Sequence, residues 1–200
     1  MTNRKLLAKP LGLLLVFGMM LVGCDTEDEN LAISTIEWEL AEDGFTRWYT
    51  NDPQYYDYYF WLLNENPNEL NTYEIECKKI SGDKNRAYGM IFGASNSVGN
   101  RFYCVSITVE GYHCVWMQNG NMNEIIKNWS LSGKLYNGYN KTNRIKVTKA
   151  GTKYTVYLNN NQVCQFDDDT INGDRIGYFL AVDLETDESF PNSPVDVRFK

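Results

Sequence analysis

The chain has 200 residues, a formal net charge of −7 and a single histidine, His113. Twenty-six acidic residues against 19 basic ones give the surface no electrostatic pull on nucleic acid or on anionic lipid headgroups. One histidine also leaves zinc sites and Ser-His-Asp catalysis poorly supplied.

The first element in chain order is a leader. Arg4, Lys5 and Lys9 precede an almost uncharged run, "LGLLLVFGMMLVG", that ends at Cys24. That run is short for a membrane span, which takes about 20 apolar residues. A basic start, an apolar middle and a small residue at the cut predict a secretory signal over residues 1–23. Leu21-Val22-Gly23-Cys24 resembles the bacterial lipobox, which implies lipidation of the Cys24 thiol and, after cleavage, an acylated N-terminus. One acyl chain contributes only ~0.8 kcal/mol per buried CH₂ and anchors weakly. The resemblance implies more than one chain, hence lasting attachment to the bacterial cell envelope, with the leaflet left open. The acidic "DTEDEN" that follows reads as part of a tether over residues 24–33. Removing residues 1–23 takes away three basic groups and no acidic one, leaving 16 basic against 26 acidic residues, net −10.

Residues 34–200 are expected to form one domain with a substantial core. Helical periodicity is nearly absent. Short runs rich in Tyr, Val, Ile, Phe and Trp alternate with Gly, Asn and Asp, the pattern of an all-β sandwich of two antiparallel sheets. Strands are expected over 35–40, 45–50, 54–63, 71–80, 87–93, 101–108, 112–118, 143–149, 152–158, 161–166, 175–183 and 194–200. Within 122–140, "NEIIKNWS" is left open as a strand and "GKLYNGYN" looks like loop. Cys77, Cys104, Cys114 and Cys164 each fall in a strand-like run, which permits two disulfides or buried thiols.

Alternation assigns faces. In "QYYDYYFWLL" (Gln54 to Leu63), Tyr56, Tyr58, Phe60 and Leu62 form an uncharged face, expected to join the core. Tyr55, Asp57, Tyr59, Trp61 and Leu63 form the other, a possible aromatic platform, because Asp57 resists unpaired burial. In strand 71–80, Tyr73, Ile75 and Cys77 are expected inward and Glu74, Glu76 and Lys78 outward. In "CVSITVEGYHCVW", a two-residue turn needs Glu110 at positive φ, which a side chain disfavours. A three-residue turn, Val109-Glu110-Gly111, asks this only of Gly111 and pairs Thr108 with Tyr112, Ser106 with Cys114 and Cys104 with Trp116. Val105, Ile107 and Val115 then face the core, and the opposite face carries Tyr112 and Trp116 as exposed rings.

The order of the motifs "YEIEC" (73–77), "YGMIFG" (88–93), "FYCVSITVEGYH" (102–113), "NRIKV" (143–147), "YTVYLNNNQV" (154–163), "FDDDTINGDRIGYF" (166–179) and "PVDVRFK" (194–200) resembles the concanavalin A-like lectin and glucanase sandwiches, especially their laminin-G-like lipoprotein members. The resemblance implies a jelly roll of two curved sheets with ligand on the concave face. It does not choose among lectin, enzyme and surface protein. Glucanases of this fold carry an E-x-D-x-x-E strand whose acids do the chemistry. Here Glu76 stands in place of the Asp and Lys79 in place of the last Glu. Glu37, Glu39 and Glu42 repeat the spacing, again without the Asp. The run Asp167-Asp168-Asp169 reads as a polar turn rather than a calcium site.

The expected site gathers Tyr112, Trp116, Ser106, Glu74 and Glu76 on one face, with Tyr55, Tyr59 and Trp61 as a second surface. No catalytic residue, metal or cofactor is assigned. The expected function is a lipid-anchored, non-catalytic binding protein with glycan as its ligand. A surface protein that binds another protein is the alternative, and a glycoside hydrolase with unusual acids is the enzyme alternative.

Overall fold

The computed structural model describes residues 36–50, 58–62, 71–95, 101–120, 122–181 and 194–199. Their strands are β1 (Ile36–Leu40), β2 (Thr46–Thr50), β3 (Tyr58–Leu62), β4 (Thr72–Lys79), β5 (Tyr88–Ala94), β6 (Arg101–Ile107) and β7 (Tyr112–Asn119). β8 (Met122–Leu131), β9 (Asn143–Ala150), β10 (Lys153–Leu158), β11 (Asn161–Asp167), β12 (Arg175–Ala181) and β13 (Val195–Phe199) follow. Each expected strand is found where the described residues allow comparison. The open segment resolves into β8 and then loop, because "NEIIKNWS" extends the sheet beside β7.

The strands form a seven-stranded sheet in the order β1-β2-β13-β4-β9-β10-β11 and a six-stranded sheet in the order β3-β12-β5-β6-β7-β8. Every pairing is antiparallel. Period-two alternation builds the core between them. Tyr73, Ile75 and Cys77 of β4 and Ile145 and Val147 of β9 meet Tyr88, Met90 and Phe92 of β5 and Tyr103, Val105 and Ile107 of β6. Aromatic rings dominate one part of it, with Tyr154 packed 5.0 Å from both Tyr103 and Phe166. Cys77 is wholly buried and Cys164 lies against the same core, and all four of the described cysteines are free thiols.

The hairpin between β6 and β7 has the expected three-residue turn. Thr108 N–H donates to the Tyr112 carbonyl at 3.0 Å and Gly111 N–H to the Thr108 carbonyl at 3.1 Å. Gly111 adopts φ of +90°, and a Cβ there would lie 2.4 Å from Asn137 Oδ1, so this position requires glycine twice over. Cys104 pairs with Trp116, Val105 with Val115 and Ser106 with Cys114, the expected register.

Both faces of the six-stranded sheet are buried at its centre. β5 is buried along its whole length, because Tyr88, Met90 and Phe92 enter the inter-sheet core while Ile91 and Ala94 enter a second apolar cluster on the far side. The seven-stranded sheet buries only its inner face completely: in β9, Asn143, Ile145 and Val147 are buried and Arg144, Lys146 and Thr148 are half-buried. The two sheets therefore present very different outer surfaces.

Candidate functional site on the outer face of the six-stranded sheet

The acids expected in the site are not near its aromatic rings. β4 lies in the seven-stranded sheet between β13 and β9, whereas β6 and β7 lie in the other sheet. Glu74 and Glu76 point away from the core on one side of the sandwich and Trp116 on the other. Alternation gave the direction of these side chains correctly, but within one strand it does not say which strands are neighbours.

On β4 each acid meets cations from the strands beside it. Glu74 accepts from Arg144 Nε at 2.7 Å and has Lys146 Nζ at 3.8 Å. Glu76 accepts from Arg198 Nε at 3.0 Å and from a second, shorter bond of the same guanidinium. Asp196 on β13, fully buried, takes Arg47 Nε at 2.7 Å and Lys78 Nζ at 3.4 Å. The register produces this pattern, since it sets Glu74 opposite Lys146, Glu76 opposite both Arg144 and Arg198, and Asp196 opposite both Arg47 and Lys78. Opposite charges facing each other across strands stabilise a sheet. Phe45 lies under this ladder, with Lys78 Nζ 4.8 Å and the Arg198 guanidinium 4.5 Å from its ring centre. Lys79, one residue on, turns to the other side: it is fully buried and its Nζ donates to the Asp83 and Arg86 carbonyls at 2.6 and 3.0 Å. Burial pushes its amine down to about 8.

The hairpin face that was expected to be open is largely closed. Phe102, Cys104, Ser106, Thr108 and Cys114 are buried, and Trp116 is only 9% exposed. The Trp116 ring meets Phe102 and Phe179 edge-on, with centroids 5.7 and 5.5 Å away. Its Nε1–H donates to Ser106 Oγ at 2.9 Å, and the Cys104 sulfur lies 3.4 Å from the same oxygen. Trp116 is thus a packing residue and Ser106 its hydrogen-bond partner. Phe179, from β12, completes the cluster and is invisible to reasoning within one hairpin. Burial pushes the Cys114 thiol up to about 11 and the Cys104 thiol further, so both stay protonated near neutrality.

Tyr112 does remain open, at 42% exposure. The residues that join it come from β8, whose sequence is compatible with a strand without requiring one. Leu131 pairs with Tyr112 and Ile125 with Trp116. Trp129, two residues before Leu131, shares its side of the strand and is 48% exposed. Register shifts on either side of Val115 make this possible. They set Lys127 opposite core-facing Val115 and let Ile126 pack on the core, while Ile125 and Trp129 stay outside. Gln118, next along β7, donates from Nε2 to the Gly120 carbonyl at 3.2 Å, and its buried Oε1 has no partner among the described residues.

The other candidates fall elsewhere. Cys24 and Tyr55 lie outside the described residues. The backbone register sets Tyr59 opposite Leu180 and Trp61 opposite Tyr178, two residues of the inter-sheet core. It sets Phe60 opposite Phe179 of the outer cluster, and the faces expected for residues 54–63 fall on side chains outside the described ones. The expectation rested on Asp57, which lies outside the described residues. His113 is buried on the core side and donates from Nδ1 to the Ser130 carbonyl at 3.0 Å. Burial, then Lys127, holds its pKa below the usual value. In the aspartate run, Asp168 accepts from Thr170 N–H at 2.6 Å, a polar turn. Among the described residues no three His, Cys, Asp or Glu side chains gather as a metal set, and no helix is long and apolar enough to cross a membrane.

No family model matches the chain, and no curated protein matches it in sequence. Solved structures do. The carbohydrate-binding module CBM66 of Bacillus subtilis superposes with a TM-score of 0.60 at 14% identity, covering 83% of this chain and 89% of that one. The β-glucanase of Bacillus licheniformis gives 0.47 at 11% identity, over 81% of this chain and 78% of the other. Sheep galectin-11 gives 0.43 at 10% identity, over 72% of this chain and 98% of the other. The two-sheet antiparallel order and the superposition on the Bacillus subtilis module give the fold: the chain is a concanavalin A-like jelly-roll sandwich.

Proposed function

We propose that this chain is a non-catalytic glycan-binding protein whose binding surface is the β7–β8 part of the six-stranded sheet's outer face. The observation that carries it is the pair of open rings, Tyr112 and Trp129, on neighbouring strands beside a buried apolar cluster of the same sheet. A flat ring offers a pyranose C–H face an apolar, polarisable partner. It gives up little conformational freedom when it does so, since it has only two side-chain torsions. The cluster adds rigidity, because Trp116, opposite Ile125 on the same face, is fixed by Phe102, Phe179 and Ser106. The name of the Bacillus subtilis module supports a carbohydrate ligand.

Binding without cleavage is favoured by where the acids are. Hydrolysis of a glycosidic bond takes two carboxyl groups flanking it, about 5–9.5 Å apart according to mechanism. Glu74 and Glu76 are both engaged by arginines, on the face opposite the rings. The sequence of the leader adds the setting: an extracytoplasmic protein held to the bacterial envelope through acylated Cys24.

A glycan array probed with the full-length chain and with its Trp129→Ala and Tyr112→Ala variants tests the binding. A hit lost in both variants is the expected result. An array without a hit moves the reading to protein recognition through the same exposed side chains. Release of reducing sugar from an array-selected polysaccharide would move it to the hydrolase. Metabolic labelling with an acyl-chain probe tests the anchor: wild type takes up label and Cys24→Ala does not.

A further inference from the structure

From the distribution of charge we infer that the surface around Tyr112 and Trp129 selects neutral glycans and rejects sialylated, sulfated or uronate-bearing ones. This rests on the glycan reading above and narrows its ligand class.

The outer rows of the six-stranded sheet can be followed strand by strand from the registers. β6 contributes Phe102, Cys104, Ser106 and Thr108, and β7 contributes Tyr112, Cys114, Trp116 and Gln118. β8 adds Asn123 opposite Gln118, Ile125 opposite Trp116, then Trp129 and Leu131. None of these carries a charge. β5 presents Ala87, Gly89, Ile91 and Ala94, again uncharged. Among the described residues on these rows the single charged side chain is Arg175, which pairs with Ala94 at the start of β12.

Arg175 is far from the rings. In the sheet order β12 is separated from β8 by β5, β6 and β7, four spacings of about 4.8 Å or roughly 19 Å. That exceeds the Debye length of about 8 Å at physiological salt, so its charge is screened at Trp129. Glu124 and Lys127 on β8 fall on the core-side rows, opposite Met117 and Val115, and bring one charge of each sign. A ligand carboxylate or sulfate placed on Tyr112 and Trp129 would lose hydration and find no cation on the outer rows of β5 to β8, and Lys84 beside the neighbouring turn is already held by Glu110 at 2.8 Å. Desolvating a charge without a partner is costly, whereas a hydroxyl finds neutral partners such as the exposed Asn123 carboxamide. On the opposite face Arg47, Arg144 and Arg198 are already held by Asp196, Glu74 and Glu76.

The test is a printed panel that pairs neutral oligosaccharides with their sialylated, sulfated and uronate-bearing counterparts, probed with the full-length chain. Binding is expected on neutral members only. By calorimetry, affinity for the best neutral member should change less than about twofold between about 50 mM and about 500 mM NaCl, because no ion pair is made. Trp129→Ala should weaken it about tenfold, and Arg175→Gln should leave it within about twofold. A best hit on an anionic member, weakened by salt and lost in Arg175→Gln, overturns the neutral-glycan inference and leaves the glycan reading standing. A panel with no hit, or a neutral hit indifferent to both Trp129→Ala and Tyr112→Ala, overturns the glycan site itself.

Discussion

The two outer faces of this sandwich solve the same problem in opposite ways. The seven-stranded sheet covers its outer side with charges that alternate in sign from strand to strand, Arg47 and Lys78 around Asp196, Arg144 and Lys146 around Glu74, Arg198 on Glu76. The six-stranded sheet carries almost no charge there and is closed by Phe102, Trp116 and Phe179, with two rings left open at its β8 edge. The first face is satisfied within itself, since each acid has its cation. The second is satisfied at its centre and incomplete at its edge, where Ile125, Trp129 and Leu131 stay exposed. Unmet apolar surface beside an ordered floor is where a ligand gains most from binding.

The sharpest way to break this contrast is Trp116→Ala. If Trp116 is part of a packed layer, its loss should cost about 3–5 kcal/mol of stability, as for other buried aromatic truncations. Urea denaturation measures it. A midpoint equal to wild type would mean that the floor of the six-stranded face is not a packed layer.

On the charged face the corresponding change is Asp196→Ala. Removing a buried partner of an ion pair costs about 3–5 kcal/mol when the remaining charge is stranded. Here Arg47 and Lys78 keep 34% and 20% side-chain exposure and can turn to water. The expected loss is therefore smaller, about 2–3 kcal/mol, from the same measurement. A loss of only a few tenths would make the ladder a set of ordinary surface pairs.

Binding should separate the faces in the reverse order. Trp129→Ala and Tyr112→Ala are expected to cost less than about 1 kcal/mol of stability, because both rings are open, yet each should weaken glycan affinity about tenfold. Glu74→Gln on the other face should leave affinity within about twofold. Equal loss in Glu74→Gln and Trp129→Ala would show that the ligand site spans both faces, which no flat ligand on one sheet can do.

The mildest test is alkaline pH. Burial raises Cys114 from 9.0 to about 11, and raises Tyr73 and Tyr154 from 10.0 to about 12, in the folded state. The unfolded chain loses these protons first, so their contribution to stability is complete below pH 9 and declines as pH rises through these folded values. Lys79 opposes them: lowered from 10.5 to about 8, it favours the folded state progressively as pH rises across that window. The denaturation midpoint should stay nearly level between about pH 7 and 9 and fall beyond that. A steady fall beginning at pH 7 would contradict the burial of Lys79 and of the thiols.

What the sequence determined by itself is local. Period two separates Tyr73, Ile75 and Cys77 from Glu74 and Glu76, and the same alternation separates Val105 and Val115 from Ser106 and Trp116. The turn at Gly111 followed from the cost of positive φ for a residue with a side chain, and it fixed the register of the whole hairpin. The lipobox resemblance at Cys24 and the order of motifs that pointed to a jelly roll are likewise properties of short stretches. Only the tertiary structure decided which strands are neighbours. Glu74 and Trp116 each point outward, but the chain assigns their strands to different sheets. Whether Trp116 is open depended on Phe179, some sixty residues further along, brought to it across β5 and β6. The site's second ring, Trp129, depended on register shifts beside Val115 that no strict alternation predicts. The physical reason is common to all three. A side chain's direction is set by its own backbone, whereas its burial and its partners are set by segments distant in sequence, whose pairing follows from the packing of the whole sandwich.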